Sequence, residues 1–167
     1  MRRSIAVVLA VSLILIDQIT KILIKSNLFE SQSIVIIPNF LDFTYVPNGG
    51  AAFGMLQGER WIFLSVTAII IVITLFLLLA NKIKSNLTIF AATLIISGGI
   101  GNMIDRIFRG YVIDFINFKM IWAYVFNVAD SCVVIGSSLI IIKLFLDIYH
   151  DKKRNEVSGN TDSGSNE

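Results

Sequence analysis

The sequence is poor in charged residues, cysteine and histidine, and each shortage argues against a class of protein. Charged residues make up 16% of the 167 positions, against about 25% in soluble domains, so we expect lipid to be the main solvent. Cys132 has no second cysteine with which to form an internal disulfide. His150 is the single histidine and follows the last apolar run, which argues against Ser-His-Asp or Cys-His catalysis and against a cysteine and histidine zinc site.

Basic residues are also too few and too scattered to form a binding face for a polyanion. The formal net charge is +2, so we predict no nucleic-acid partner. The length allows one domain, and no internal repeat is visible.

Hydrophobic residues make up 55% of the chain and are concentrated in four runs, each long enough to cross the roughly 30 Å hydrocarbon core. We therefore predict a membrane all-α fold with four transmembrane helices in a single domain, residues 1–150. A polar tail of residues 151–167 is predicted to be disordered. The predicted spans are residues 5–24, 61–80, 87–104 and 124–146.

The first run follows Arg2 and Arg3 and resembles a cleaved signal peptide in its charge pattern. No small-residue cleavage site follows it, and Asp17 stands near the expected position, so we predict a retained first helix. With the N-terminus inside, eight Lys and Arg residues lie on the inner side and six on the outer side. This bias predicts that both termini are cytoplasmic.

The two loops that this orientation places outside are long, and the first contains a pattern typical of strands. Residues 33–46 are rich in Ile, Val, Phe, Thr and Tyr and are interrupted at Pro38-Asn39. The pattern predicts two short strands, and hence a small extracytoplasmic β-sheet in the first outer loop.

Asp130 is an acid within a predicted span, where a charge costs on the order of a few kcal/mol. It follows Tyr124 by six residues, about 9 Å along a helix. Trp122 and Tyr124 are typical of the outer interface, so we place Asp130 just below it. Asn127 precedes Asp130 by three residues on the same helix face. A packing role for Asp130 is the alternative to a functional one.

A polar stripe marks the outer end of the third predicted span. Gly98, Asn102 and Asp105 lie on one helix face, with Arg106 beside them. The polar residues either brace a site or anchor the helix at the interface, whereas the glycines favour helix packing. In the first span, Asp17 and Lys21 are one turn apart in the order that favours an ion pair; Lys21 acting as a base is the alternative.

Asp114 lies in the second outer loop, near the outer ends of the third and fourth spans, where Asp130 also lies. Two carboxylates that share a site cannot both ionise easily, so one retains a proton while the other stays charged. Such a pair can activate water and protonate a leaving group. In the first outer loop, Asn48-Gly49-Gly50 is suited to a tight turn, with substrate contact as the alternative to a plain loop.

Five sequence blocks in this order resemble the lipoprotein signal peptidases (signal peptidase II), the bacterial membrane enzymes that cut signal peptides from prolipoproteins. The resemblance covers about residues 5–146. The blocks are Asp17-Gln18-Ile19-Thr20-Lys21, Asn48-Gly49-Gly50-Ala51-Ala52-Phe53, Gly101-Asn102-Met103-Ile104-Asp105-Arg106, Val112-Ile113-Asp114-Phe115 and Phe126-Asn127-Val128-Ala129-Asp130.

The resemblance implies that Asp114 and Asp130 are the catalytic pair, with no metal and no cofactor. The strands of the first outer loop would form a sheet that cradles the substrate. Pro47 departs from the family pattern, which would place a polar or charged residue there. The resemblance implies that the residues lining or bracing the site are Asp17, Lys21, Asn48, Gly50, Asn102, Asp105, Arg106, Asn127 and Ala129.

The substrate implied by the resemblance is a prolipoprotein whose cysteine already carries diacylglycerol. The cut would fall on the amino side of that cysteine, at the outer surface of the bacterial cytoplasmic membrane, with membrane lipid as the surrounding partner and the enzyme as a monomer. We expect one aspartate to act as base on water and the other as acid, and the sequence does not assign these two roles.

Three other functions are weighed against this one. A transporter or proton pathway also uses intramembrane acids, but such folds often contain repeats and place their sites at the midplane. A metal-dependent phospholipid head-group enzyme needs more carboxylates than Asp105, Asp114 and Asp130 supply. A Ser/Lys peptidase would use Lys21 and Ser131, but Ser131 points about 100° away from Asp130 around a helix.

Overall fold

A computed structural model describes residues 3–30, 32–50, 58–119 and 124–162, with side chains through Arg154. The four predicted spans are helical, although their ends differ from the prediction, and each is long and apolar enough to cross a membrane. The helices are α1 (Arg3–Asn27), α2 (Arg60–Leu79), α3 (Asn86–Phe108) and α4 (Val128–Asp162).

Helix α3 is the centre of the bundle. Half of its most apolar window is buried within the protein, against 6% for the same window of α2, whose side chains are left for lipid to cover. Glycines let the neighbours of α3 approach its backbone, since a Cβ at Gly101 would lie 2.6 Å from Oδ2 of Asp17. Likewise, a Cβ at Gly136 of α4 would lie 2.7 Å from the carbonyl oxygen of Ala91.

The sheet has four antiparallel strands in the order β1-β2-β3-β4. The two strands predicted in the first long loop are confirmed, but the sheet is not confined to that loop, because the second long loop supplies β3 and β4. The sequence of this second loop alternates too little between apolar and polar residues to indicate a strand by itself. The strands are β1 (Ser33–Ile37), β2 (Leu41–Asn48), β3 (Val112–Phe118) and β4 (Val125–Phe126).

An apolar cluster fixes the sheet on the end of α1. Ile24 of α1 and Leu28, directly after its last residue, pack against Tyr45 of β2. They also pack against Ile113 and Phe115 of β3. Because Ile113 and Phe115 flank Asp114 in sequence, burying them also fixes the backbone that carries Asp114. A bulge in β2 between Phe43 and Val46 shifts the register, so that Val46 pairs with Asp114.

Helix α4 begins later and continues further than the predicted span. It starts at Val128 because residues 125–126 pair with β3 instead of continuing a helix. It then runs through Asp162, whereas the sequence predicts disorder from residue 151; residues 163–167 of that tail lie outside the described part. Charged pairs one turn apart, Lys143–Asp147 and Asp151–Arg154, support the helix where it becomes polar. The cytoplasmic location of the termini and the extracytoplasmic location of the sheet stay predictions.

Candidate active site

The structure brings the predicted site residues together where α1, α3 and the start of α4 meet the sheet, around a cavity of about 700 Å³. Six of the eleven line the cavity, and the other five are buried behind them, each at most 1% exposed. The lining residues are Asn48, Gly50, Asn102, Arg106, Asp114 and Asp130. The buried ones are Asp17, Lys21, Asp105, Asn127 and Ala129.

Asp130 lies in the first turn of α4. The sequence predicts a different position, about 9 Å along a helix. Asn127 caps the helix: its Oδ1 accepts from the backbone N–H of Asp130 at 2.8 Å, and Oδ2 of Asp130 accepts from the backbone N–H of Asn127 at 3.2 Å. This reciprocal capping box explains the three-residue spacing that the sequence attributes to one helix face. The partial positive charge of the helix N-terminus favours a carboxylate there.

Amide groups hold both candidate catalytic carboxylates. Asp114 accepts from Nδ2 of Asn48 at 2.8 Å and from Nδ2 of Asn127 at 2.7 Å. Asp130 accepts from Nδ2 of Asn102 at 2.7 Å. Asn127 therefore contacts both carboxylates, through its amide and through its backbone, and joins the two acids into one unit.

The pKa of Asp114 is raised to about 7, well above that of an ordinary aspartate. Burial is the largest cause, followed by the negative charge of Asp130, while the hydrogen bonds from Asn48 and Asn127 oppose the shift. Asp114 therefore still holds a proton for part of the time near neutral pH. A carboxyl group in this state can donate a hydrogen bond to a substrate oxygen.

Lys21 is the cation behind the two acids, and its side chain is fully buried. Its Nζ lies 2.8 Å from Oδ2 of Asp17 and 3.0 Å from Oδ2 of Asp105, so the predicted Asp17–Lys21 ion pair is present and is shared with Asp105. Nζ also donates to Oδ1 of Asn102 at 3.1 Å. That bond orients the Asn102 amide so that its NH₂ group points to Asp130.

The two acids that contact Lys21 each bind the backbone next to a candidate catalytic residue. Asp17 accepts from the N–H of Ala129 at 2.9 Å, one residue before Asp130. Asp105 accepts from the N–H of Ile113 at 3.2 Å, one residue before Asp114. The sequence gives no sign of this arrangement, because both bonds connect elements that are far apart along the chain.

Arg106 and the turn after β2 form one side of the cavity. Arg106 donates to the carbonyl oxygen of Gly50 at 3.2 Å and lies over the ring of Phe63 at 4.9 Å. The N–H of Gly50 in turn donates to Oδ1 of Asn48 at 3.0 Å, which leaves the amide of Asn48 free to face Asp114. Residues 51–53 of this sequence block lie outside the described residues.

Two residues of the site were missed in the sequence. Gln18 donates to Oδ2 of Asp17 at 3.1 Å and to Oδ1 of Asp105 at 3.3 Å, and Arg109 pairs with Asp105 and donates to Gln18 at 3.2 Å. The one-turn spacing of Asp105 and Arg109 is the signal that could have identified Arg109. Gln18 offers no such signal, since its partners lie mainly on α3.

The geometry does not pair Ser131 with Lys21. The hydroxyl of Ser131 donates to the carbonyl oxygen of Asn127 at 3.0 Å, within its own helix turn, while Lys21 is occupied by Asp17, Asp105 and Asn102. Among the described residues, no group of three or more His, Cys, Asp and Glu is placed to hold a metal ion.

Four apolar helices that surround a buried cluster of acids and amides define a multi-pass membrane protein with a polar site at one end of its bundle. The family model for signal peptidase (SPase) II matches residues 9–146, and the chain belongs to this family, so it is a peptidase of a bacterial membrane. The five sequence blocks that suggested the resemblance all lie within the matched region.

Curated relatives and solved structures agree with that membership. A lipoprotein signal peptidase of Clostridioides difficile is 42% identical over 86% of this chain and 92% of the relative. One of Halothermothrix orenii is 45% identical over 79% of this chain and 89% of the relative. A bacterial membrane enzyme solved by the in meso method at 2.3 Å resolution is 34% identical, with a TM-score of 0.82 over 87% of this chain and 90% of the other.

Replacing Lys21 by methionine should lower the free energy of unfolding by about 3–5 kcal/mol, because it leaves Asp17 and Asp105 buried without their shared cation. Lys143→Met is the matched control, since Lys143 pairs with Asp147 at the same one-turn spacing and the same 2.8 Å, but the two side chains are 29% and 56% exposed. This change should cost at most about 0.5 kcal/mol. Denaturant unfolding of the purified protein in micelles measures both. Equal losses would contradict the bracing role of Lys21.

Proposed function

We propose that this chain removes signal peptides from diacylglyceryl-modified bacterial prolipoproteins as an aspartic endopeptidase, cutting on the amino side of the lipidated cysteine. The observation that carries the proposal is the pair of carboxylates, Asp114 and Asp130, joined through Asn127 at the wall of a large cavity. Membership of the signal peptidase II family supports the class of substrate.

In this proposal the two carboxylates have different roles. Asp130 is the base, because it lies at a helix N-terminus and accepts from Asn102, whose orientation Lys21 fixes. Asp114 is the acid, because burial and the charge of Asp130 raise its pKa to about 7. The pair shares one proton and titrates as a unit, so the measured values belong to the pair.

Asp130 takes a proton from water while the water oxygen attacks the scissile carbonyl carbon. The protonated Asp114 donates a hydrogen bond to the carbonyl oxygen and stabilises the tetrahedral intermediate. As the C–N bond breaks, the proton taken from water passes to the nitrogen of the leaving cysteine. The signal peptide leaves with a new carboxyl group, and the mature lipoprotein keeps its lipid.

The shape of the cavity supports a lipidated substrate. Next to the carboxylates its wall becomes apolar, formed by residues of α2 and α3 that include Phe63, Thr67 and Ile71. At Gly99 the two helices approach closely along this wall, since a Cβ there would lie 3.1 Å from Cγ2 of Thr67 and 3.2 Å from Cδ1 of Ile71. We propose that the scissile bond lies at the polar end of the cavity, next to the carboxylates, and that apolar parts of the substrate lie along the apolar wall.

The proposed site faces the outer surface of the cytoplasmic membrane. The distribution of Lys and Arg supports cytoplasmic termini. With that orientation, the sheet and the ends of α1 and α3 nearest to it would lie outside. A monomer is the active form in this proposal. No cofactor enters the proposed reaction.

Asp114→Asn and Asp130→Asn should each reduce cleavage of a diacylglyceryl-modified prolipoprotein by about 10²–10⁴-fold, because each removes one partner of the acid–base pair. Asp147→Asn, an exposed acid on α4, is the control and should retain normal turnover. Turnover is followed by gel shift of the purified substrate. A folded Asp114→Asn or Asp130→Asn variant with normal turnover would disprove the proposed pair.

Cleavage should depend on the lipid of the substrate. A substrate that carries diacylglycerol on its cysteine should be cut with a much higher kcat/KM than the same polypeptide with a free cysteine, because only the former gains the contacts along the apolar wall. The two substrates are compared side by side with the same enzyme preparation. Equal cleavage of both would remove lipid recognition from the proposal and leave the peptidase activity intact.

The alkaline side of the pH profile should report the proton on Asp114. Since the pKa of Asp114 is about 7, raising the pH through that value removes the proton, and kcat/KM should fall. The bond from Asn48 favours the ionised form, so Asn48→Ala should raise that pKa and move the fall to higher pH. Asn117→Ala, whose amide donates to Thr44 at 3.4 Å, is the control and should not move it.

For Asn48→Ala, the position of the fall in kcat/KM is compared, not its height, because the loss of Asn48 also affects substrate contacts. An unchanged position, or a shift to lower pH, would contradict the assignment of the shared proton to Asp114.

A further inference from the structure

A second cavity lies at the end of the bundle opposite the sheet. It has a volume of about 250 Å³ and is enclosed by the start of α1, the end of α2 and the connection to α3. Its wall is mainly aliphatic, with Val7, Leu75 and Ile89 among the contributors. The described residues that line it include two polar ones, Arg3 and Asn81. The proposed peptidase reaction makes no use of this cavity.

The connection between α2 and α3 holds these polar groups in a defined geometry. Helix α2 ends at Leu79, and Asn81 follows in the left-handed region at φ 55°. The N–H groups of Asn81 and Lys82 bond to the carbonyl oxygens of Leu78 and Leu77 at 3.3 and 3.1 Å. This pair of bonds is a Schellman motif, which fixes the path of the chain. The side chain of Asn81 then accepts a hydrogen bond from Arg3 of α1.

The elements around this cavity carry positive charges without acids to balance them. Arg3 contacts a neutral amide, and Lys82 and Lys84 are exposed in the adjoining connection. Residues 1–16 and 61–104 contain no Asp or Glu, and the two acids at this end of α4 whose side chains the structure describes, Asp147 and Asp151, are paired with α4's own cations. An anion from outside the protein is therefore the partner that these charges favour.

An aliphatic cavity beside exposed cations, at the end of membrane-spanning helices, fits a molecule with an anionic head and an apolar chain. Basic pockets between transmembrane helices bind the head groups of anionic lipids by this combination. We propose that the cavity binds one anionic phospholipid of the phosphatidylglycerol class. Its phosphate contacts Arg3, Lys82 and Lys84, and part of an acyl chain fills the cavity between α1, α2 and α3.

The proposed lipid would join the helix that the protein buries least to the rest of the bundle. Helix α2 has 6% of its most apolar window buried, so packing within the protein contributes little to its position. A ligand that binds the folded bundle and not the unfolded chain raises its stability by mass action. The bound lipid should therefore raise the unfolding temperature, whether or not the peptidase proposal holds.

Native mass spectrometry of the purified full-length protein in detergent tests the site with two dioleoyl lipids, phosphatidylglycerol and phosphatidylcholine. We expect one phosphatidylglycerol to bind with at least about five-fold higher affinity than phosphatidylcholine, because each cation near an anionic head group raises the affinity by about five-fold. Arg3→Gln should lower the affinity for phosphatidylglycerol by about five-fold for the same reason. Ala6→Phe fills the cavity and should lower the affinity for both lipids.

Lys152→Gln is the matched control, since Lys152 is an exposed cation at the same end but lies on α4, away from the cavity. It should leave retention unchanged. Glycerol 1-phosphate serves as the head group without chains and should not be retained. Peptidase turnover of each variant shows that it is folded.

Equal retention of the two lipids by the unmodified chain, or an equal loss in Lys152→Gln and Arg3→Gln, would overturn the proposal. Retention of glycerol 1-phosphate as tight as that of phosphatidylglycerol would show a site for free phosphate and would overturn it as well. None of these results bears on the catalytic proposal, which rests on the opposite end of the bundle.

Discussion

The buried ammonium of Lys21 is the interaction on which the geometry of the site depends. A charge within a membrane bundle requires compensation, and here two carboxylates, Asp17 and Asp105, supply it from different helices. Asp17 uses its other oxygen, Oδ1, to accept from the backbone directly before Asp130. Asp105 accepts from the backbone directly before Asp114 with the same Oδ2 that contacts Lys21. One cation therefore links α1, α3, α4 and the third strand from behind the cavity, and reaches the cavity wall through Asn102.

This arrangement gives two aspartates unequal surroundings within one small space. Asp114 stands on a strand whose flanking side chains form the apolar core against α1, so burial dominates its environment and raises its pKa to about 7. Asp130 stands in the capping box of α4, where its carboxylate accepts from the backbone N–H of Asn127. Asn127 contacts both residues, so the surroundings of the two carboxylates differ because a strand carries one and a helix N-terminus carries the other.

The sequence predicted what local spacing and hydropathy can indicate: the four spans, the β1–β2 hairpin and the Asp17–Lys21 pair. It could not indicate contacts between distant elements, such as the bonds from Asp17 to Ala129 and from Asp105 to the third strand. It misplaced the start of α4, because three-residue spacing fits a helix face and a capping box equally well. The residues of the site were predicted mainly through the family resemblance, whereas Gln18 and Arg109 emerge only when α1 and α3 are packed together.

The most direct measurement of the central claim is a crystal structure with a lipidated substrate analogue whose scissile amide is replaced by a hydroxyethylene group. Its hydroxyl stands where the attacking water and the carbonyl oxygen meet in the tetrahedral intermediate. The account predicts that this oxygen lies within about 2.5–3.0 Å of a carboxylate oxygen of both Asp114 and Asp130. A hydroxyl that contacts neither aspartate, or that lies against Ser131, would contradict it.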